Sequence, residues 1–459
     1  GFDPKGEMWR LNSRFVGAYA EKDAELTLKL WNMLHVGLKE QSLMDVFNLE
    51  TSLLPVLLDM REKGVKVNID GAEAAKKKLI GLKQDLIADI KHETGVSVEP
   101  WVAKSVASVF DHHNLYYERT ENNGQPSFTK AFLQACTHPV AAKILRLREL
   151  DKASNTFIDN ILKFAHKGRI HCEFHQLRSD DGGTVTGRFS SSNPNLQQIP
   201  ARDPEIKAMI RGLFIPDDDC KWGSFDYSSQ EPRLLVHYCA SMGAKYRSPM
   251  IDSVVDEYHK GDADFHQMVA DMANISRKQA KTVNLGIMYG MGVGKLSHTM
   301  DISKDEAKAL LAQYHEKVPF VKGLADLVSA QASAHGKIRT MSGRLCRFDM
   351  WEPKTFGYSK PMKLEQAQKE YGPILRRAFT YKALNRLIQG SAADQTKVAM
   401  AECYKEGLVP LLTVHDELCF NVESEEQAAR ITEIMETSTP LKVPSKVDQE
   451  LGDNWGEVG

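Results

Sequence analysis

The chain contains no uninterrupted apolar run of the roughly 18 residues that a membrane-crossing helix needs, so no membrane partner is expected. Its first residues, Gly1-Phe2-Asp3-Pro4-Lys5, lack the basic-then-apolar pattern of a secretory signal, and they lack an initiator Met. The chain therefore reads as a fragment of something longer. Cysteine is sparse: seven residues scattered from Cys136 to Cys419, none in a C-x-x-C pair. That argues against a zinc or disulfide framework and for reduced thiols in a cytosol-like compartment. Positive charge is not in excess either. With 59 Lys and Arg against 61 Asp and Glu, the net charge is −2, which argues mildly against nucleic acid as a partner. Any such function must rest on local sites. No repeat and no low-complexity tract is present.

What is there is a chain of 459 residues, 42% hydrophobic, enough for two to four structural units. Helical spacing of apolar residues predicts helices over 15–34, 49–60, 72–91 and 140–166. A short strand is expected at Val65–Val67, and the polar stretch from Glu118 to Phe128 reads as a loop or hairpin tip. Near Gly168 the character changes. Arg169–His175 alternates as a strand does, and Gly182, Gly183 and Gly187 punctuate a loop that runs to Pro200. A strand follows at Lys221–Tyr227, then a helix-rich region from about Asp264 to Ala334. Trp351–Lys369 is polar and reads as a surface insertion. A helix from Tyr381 to Lys405 leads into two apolar runs, Leu411–Val414 and Leu418–Val422, that flank His415-Asp416-Glu417 as a β-hairpin. Strands and helices mix without a βαβ rhythm, which predicts an α+β fold.

Two carboxylates sit where a rigid strand can hold them. Asp226 lies at the end of the Lys221–Tyr227 strand, and Asp416 at the tip of the hairpin. Mg²⁺ takes hard oxygen ligands and keeps several waters. Two such ions about 3.5–4 Å apart can activate an attacking hydroxyl and stabilise a leaving oxygen. Two aspartates from distant segments are the minimum for such a site, although an Asp in a hairpin turn is ordinary by itself.

A second pattern opens at Ser276. Ser276 and Gln279 fit a capping box, so a helix begins there. Arg277, Lys281, Leu285 and Tyr289 then recur every four residues. Steps of four drift by about 40° each, so the row keeps to one slowly turning face. Both cations fall in the first turns, where the helix dipole also favours an anion. The row is ordered as a nucleoside triphosphate is, phosphates at the cationic end and base at the aromatic end. An amphipathic helix with solvated cations is the plainer alternative.

These segments resemble family A DNA polymerases, the DNA polymerase I family, and among them the bacteriophage forms. The stretch Thr186-Gly187-Arg188-Phe189-Ser190-Ser191-Ser192-Asn193-Pro194-Asn195-Leu196-Gln197-Gln198-Ile199-Pro200 is similar to T-G-R-L-S-S-x-x-P-N-L-Q-N-I-P. Asp226-Tyr227-Ser228-Ser229-Gln230-Glu231-Pro232-Arg233 resembles D-Y-S-Q-I-E-L-R, and Arg277 through Gly290 follows R-x-x-x-K-x-x-x-F-x-x-x-Y-G. Val414-His415-Asp416-Glu417 is similar to the last catalytic motif.

The resemblance implies a right-hand fold. It assigns 1–40 to the end of a 3′–5′ exonuclease domain and 41–165 to the thumb and its approach. Residues 166–255 and 385–459 become the palm, and 256–384 the fingers. It implies template-directed DNA synthesis with two Mg²⁺ ions, primer-template DNA and deoxynucleoside triphosphates as partners, and a monomer. Phage replication in the host cytoplasm is the expected setting, with replisome partners not identifiable. Asp226, Asp416 and the Tyr227 carbonyl carry over as metal ligands, and Glu417 as a supporting carboxylate. Arg277, Lys281 and His266 carry over as phosphate contacts, with Lys281 able to protonate the leaving pyrophosphate. Glu231 would crowd the sugar 2′ position and Tyr289 would bond to it. A penalty of about 3 kcal/mol there gives roughly hundredfold rejection of ribonucleotides. Arg188, Asn195, Gln198, Asn385, Gln389 and His415 match positions that contact primer and template. Minor-groove acceptors occur at every correct pair, so donors there test pair shape without reading sequence.

The sequence departs from the family pattern at Leu285, where the family carries Phe, and at Ser229, Gln230 and Pro232. Leu285 predicts weaker stacking on the nucleotide and strong rejection of dideoxynucleotides. Tyr19 and Asp23 resemble the last exonuclease motif, but its other carboxylates are not in this sequence, so no proofreading is expected from it. Three other readings compete. A single-subunit RNA polymerase shares the paired aspartates, but Glu231 and Tyr289-Gly290 favour deoxynucleotides. A non-catalytic DNA-binding remnant would not need both aspartates and both cations. A two-metal nuclease leaves the triphosphate-ordered helix unexplained.

Overall fold

The computed structural model describes residues 6–177, 184–201, 203–243, 247–261, 263–355 and 359–458. The expected loop residues Gly182 and Gly183 lie outside them. The chain forms two compact units. One comprises Leu54–Phe265 and Gln395–Gly459, the other Gly1–Leu53 and His266–Asp394.

The first unit is built on a four-stranded antiparallel sheet. Its strands are β1 (Lys221–Tyr227), β2 (Leu412–Val414), β3 (Glu417–Val422) and β4 (Val447–Gly452), in the order β2-β3-β1-β4. β1 is buried along most of its length, as expected of a central strand. At Gly223 a Cβ would come within 2.5 Å of the Val422 side chain and 2.8 Å of the Phe225 ring, so only glycine lets β3 pack this closely. Trp222 stacks on Trp455 at 5.8 Å, and Phe214 meets Trp455 edge-on at 5.5 Å. These rings join Leu411, Leu412 and Cys419 in the core beneath the sheet. Helix α1 (Gln230–Ser241) follows β1 directly.

Upstream in the same unit, the Ile69–Thr94 helix and the Pro139–Lys152 helix pack together. The stretch expected to be helical over 140–166 is helical with a wider π segment at Ala153–Ile158, and it ends in a two-residue strand, Ala165–His166. Arg169–His175 forms two short strands in different sheets rather than one. Arg169–Ile170 pairs with Val65–Lys66, and Glu173–His175 with Ser190–Ser192. The polar stretch near residue 120 is a hairpin tip, with Glu118–Arg119 paired to Pro126–Ser127.

The second unit is mainly helical. It holds α2 (Phe265–Ala273), whose first residue lies at the boundary between the units, then α3 (Arg277–Met288) and the first half of α4 (Ala383–Lys405). The expected surface insertion is more structured than its composition suggested. Met350–Pro353, Met362–Lys363 and Leu375–Arg377 form a small antiparallel sheet, and Leu364–Tyr371 is a helix. Arg377 lies over the Trp351 ring at 4.5 Å, a contact that composition alone does not reveal. Among the described residues no helix is long and apolar enough to cross a membrane.

Candidate active site

Strand pairing decides where the acidic residues meet. Asp226 on β1 lies directly opposite Glu417 on β3 and opposite Asp448 on β4. Opposed residues in an antiparallel sheet share a face, so three carboxylates from distant parts of the chain converge. The β2–β3 hairpin closes through His415 and Asp416, and the Asp416 carbonyl accepts the Tyr227 amide N–H at 3.4 Å. His415 takes a left-handed conformation, with φ 60°, unusual for a residue with a Cβ and common at functional turns.

This arrangement is electrostatically crowded. Withdrawal of water raises the pKa of Asp226 to about 8, with like charge from Asp416, Glu417, Asp448 and Glu450 adding to it. Asp226 nevertheless keeps an exposed edge through which a cation can reach it. Asp416 is also raised, chiefly by burial, against the opposing pull of backbone hydrogen bonding, Arg188 and His415. Glu417 is 8% exposed and its Oε1 is committed: it accepts from Ser224 at 2.6 Å, Cys419 at 3.2 Å and Trp455 at 3.3 Å. The Tyr227 ring is buried and its hydroxyl donates to the Met435 carbonyl at 2.7 Å, so only its backbone is free to face the carboxylates.

Among the described residues no group of three or more acidic, His or Cys side chains is set up to hold an ion by itself. Two aspartates with raised pKa values still suit a divalent cation. Mg²⁺ accepts a few carboxylates and completes its shell with water and substrate oxygens, and its charge would relieve the crowding.

Two flanking residues belong to the same unit. Arg188 donates through Nη2 to Glu231 Oε1 at 2.8 Å. Glu231 sits in the first turn of α1. Farther along the Arg188 loop, Asn195 caps a short turn by accepting from the Gln197 amide at 3.1 Å. Gln198 follows in that turn and, with Asn195, lines a cavity against Phe157 and Ile161.

In the second unit, α3 begins as its sequence predicts. Ser276 accepts from the Gln279 amide at 3.2 Å, and the Gln279 side chain accepts from the Ser276 amide at 3.0 Å. Arg277, Lys281 and Tyr289 are exposed and Leu285 is half-buried, while Ala280, Val283 and Met288 are buried. His266 lies at the start of α2, and its Nδ1 meets the Asn284 amide nitrogen at 3.0 Å. Asn385 and Gln389 are half-buried on α4.

With this geometry in view, comparisons with known proteins give one answer. The family model described as DNA polymerase family A matches residues 72–457. The chain belongs to DNA polymerase family A.

A DNA-directed DNA polymerase of Pseudomonas phage M6 is 36% identical over 99% of this chain and 72% of its own length. A thermostable DNA polymerase I of Thermus filiformis is 29% identical over 99% of this chain and 53% of its own. The solved POL domain of Pol1 from M. smegmatis, in complex with DNA primer-template and dNTP, superposes with a TM-score of 0.76. It is 27% identical, with 94% of this chain and 74% of that one covered.

Several residues of this family A polymerase that shape the site escape a reading of the sequence. Asn284 is fully buried inside a helix, where Asn is a poor helix former. That mismatch is the signal that could have found it. Its Oδ1 accepts from the Tyr314 hydroxyl, so the amide is held from both ends. Gln197 donates to the Thr413 carbonyl at 3.1 Å and ties the Arg188 loop to the hairpin that carries Asp416. Gln230 is 3% exposed and bonds both Gln395 and Thr396 at 3.2 Å. It occupies a position where the sequence leaves the family pattern, and here it is a buried anchor. Ser224, Trp455 and Asp448 gave no local sign at all.

Proposed function

We propose that this family A polymerase extends a primer 3′ end along a DNA template with deoxynucleotides. In this reading Asp226 and Asp416 hold two Mg²⁺ ions, with the Tyr227 carbonyl as a further oxygen. The observation that carries it is the meeting of Asp226, at the end of β1, with Asp416, at the turn of the hairpin whose strand β3 pairs with β1, with both pKa values raised. Such a cluster is unfavourable unless a cation is its purpose. When bound there, Mg²⁺ would lower the pKa of the primer 3′-hydroxyl and neutralise charge on the pyrophosphate.

The chain's own residues do the rest. Glu417, pinned by Ser224, Cys419 and Trp455, fixes the hairpin and adds negative potential without offering its bonded oxygen. Arg277 and Lys281 grip the triphosphate at the N-terminal end of α3, where the helix dipole also favours an anion. Lys281 passes a proton to the leaving pyrophosphate. His266, with Nδ1 accepting from Asn284, carries its proton on Nε2 and can donate it to a phosphate oxygen. Glu231 crowds the sugar 2′ position, Tyr289 serves as a platform for the base, and Leu285 packs on the nucleotide. Arg188, Asn195, Gln198, Asn385, Gln389 and His415 contact primer and template. The β1–β4 sheet belongs to the palm and α3 to the fingers. The phage relatives support a role in phage DNA replication in the host cytoplasm.

The test is primer extension on a defined template with Mg²⁺ and four deoxynucleotides, comparing the chain with Asp416→Ala. Templated extension that disappears in the variant supports the reading. Tight primer-template binding with no extension by the unaltered chain overturns it.

A further inference from the structure

We infer that Arg188 sets how strictly this polymerase rejects ribonucleotides, by holding the Glu231 carboxylate in the position from which it crowds the sugar. The inference rests on Glu231 being the sugar gate, as proposed above, and assigns Arg188 a second task beside its contact with the primer.

A glutamate has three rotatable side-chain bonds, and a barrier that swings aside rejects nothing. Steric selection against one hydroxyl therefore needs the carboxylate pinned, not merely present. The structure supplies each restraint. The backbone of Glu231 is fixed from both sides. Gln230 is locked to Gln395 and Thr396, and Arg233 donates to the Ser228 carbonyl at 2.9 Å and the Pro444 carbonyl at 2.6 Å. The side chain is then fixed by Arg188 at 2.8 Å, with the two side chains only 22% and 15% exposed. Half-buried, charge-assisted bonds of this kind hold geometry better than surface pairs do.

Arg188 is itself held. Its carbonyl accepts from the Thr184 hydroxyl at 2.9 Å. The adjacent Phe189 is buried, with the Lys397 ammonium 4.7 Å from its ring centre. A guanidinium carries five N–H donors, so one can serve Glu231 while others remain for a groove acceptor. The planar fork thus joins the gate to the primer end.

The experiment is single-nucleotide insertion with Mg²⁺, reading the ratio of kcat/KM for a deoxynucleotide to that for the matching ribonucleotide. Four proteins are compared: unaltered, Arg188→Ala, Glu231→Ala and the double variant. The ratio is expected to fall at least tenfold in Arg188→Ala and at least as far in Glu231→Ala. The double variant should fall no further than Glu231→Ala alone, because Arg188 acts through Glu231. Loss of a DNA contact, or a general loss of structure, lowers both nucleotides alike and leaves the ratio unchanged. An unchanged ratio in Arg188→Ala beside a collapsed one in Glu231→Ala overturns this inference alone. An unchanged ratio in Glu231→Ala overturns the gate reading and the inference with it. Losses that multiply in the double variant also overturn the inference. Arg188→Gln, which keeps a polar chain in the slot without the charge, carries the same comparison if the Ala variant does not fold.

Discussion

Asn284 donates an amide N–H to Nδ1 of His266 across 3.0 Å, and its carbonyl oxygen is taken by the Tyr314 hydroxyl. The Tyr hydroxyl donates to Oδ1, which leaves the amide nitrogen for the ring, so the pair fixes both the Asn orientation and the His tautomer. Asn284→Ala removes that control and leaves a buried hydroxyl without its acceptor. It should cost about 1–3 kcal/mol of stability and raise the nucleotide KM several-fold, more than it lowers kcat. Thermal melting and steady-state insertion kinetics check this. A KM unchanged in a folded variant would show that His266 needs no orienting.

The crowded carboxylates make a pH prediction. Asp226 titrates at about 8 in the folded chain against an ordinary value of 3.8, so the native state holds the proton more tightly than the unfolded state. Without metal, stability should therefore fall as pH rises from about 4 to about 8. Asp226→Asn should flatten that slope and raise the melting temperature in EDTA, while abolishing extension. A melting curve in EDTA that rises with pH over this window for the unaltered chain would contradict the account.

Leu285 stands on the row with Arg277, Lys281 and Tyr289 and is half-buried. Leu285→Phe should raise deoxynucleotide kcat/KM by restoring a flat ring, and Leu285→Tyr should raise dideoxynucleotide use at least tenfold. Competitive incorporation on one template compares all three proteins. Equal kinetics among them would remove Leu285 from the site.

Asp394 is 0% exposed and pairs with Arg344 at 2.7 Å, while Thr340 donates to its other oxygen and Arg344 also reaches Glu50. Asp394→Ala leaves a largely buried guanidinium short of a partner, which should cost about 3–5 kcal/mol. Denaturant unfolding measures it. A loss under about 1 kcal/mol would mean that Glu50 alone satisfies Arg344.

Local chemistry made much of this legible from the residues. The Lys221–Tyr227 strand, the Ser276–Gln279 cap and the hairpin around Asp416 each depend on neighbours in sequence, and all three form as read. The Trp351–Lys369 stretch reads only as a polar surface insertion. Its pairing with Leu375–Arg377 in a small sheet is not a property of neighbouring residues.

By itself, the sequence determined the family, the α+β mixture and which groups are candidates for the chemistry, because motif spacing and helix periodicity are properties of adjacent residues. Only the tertiary structure decided that Asp448 lies across from Asp226, that Trp455 and Ser224 hold Glu417, and that Arg188 reaches Glu231. For the sheet residues the reason is strand register, and for Arg188 and Trp455 it is the packing of segments distant in sequence. Distant residues become neighbours when antiparallel strands pair, and a slip of one residue would turn each side chain to the other face. No local pattern records which register the packed core selects.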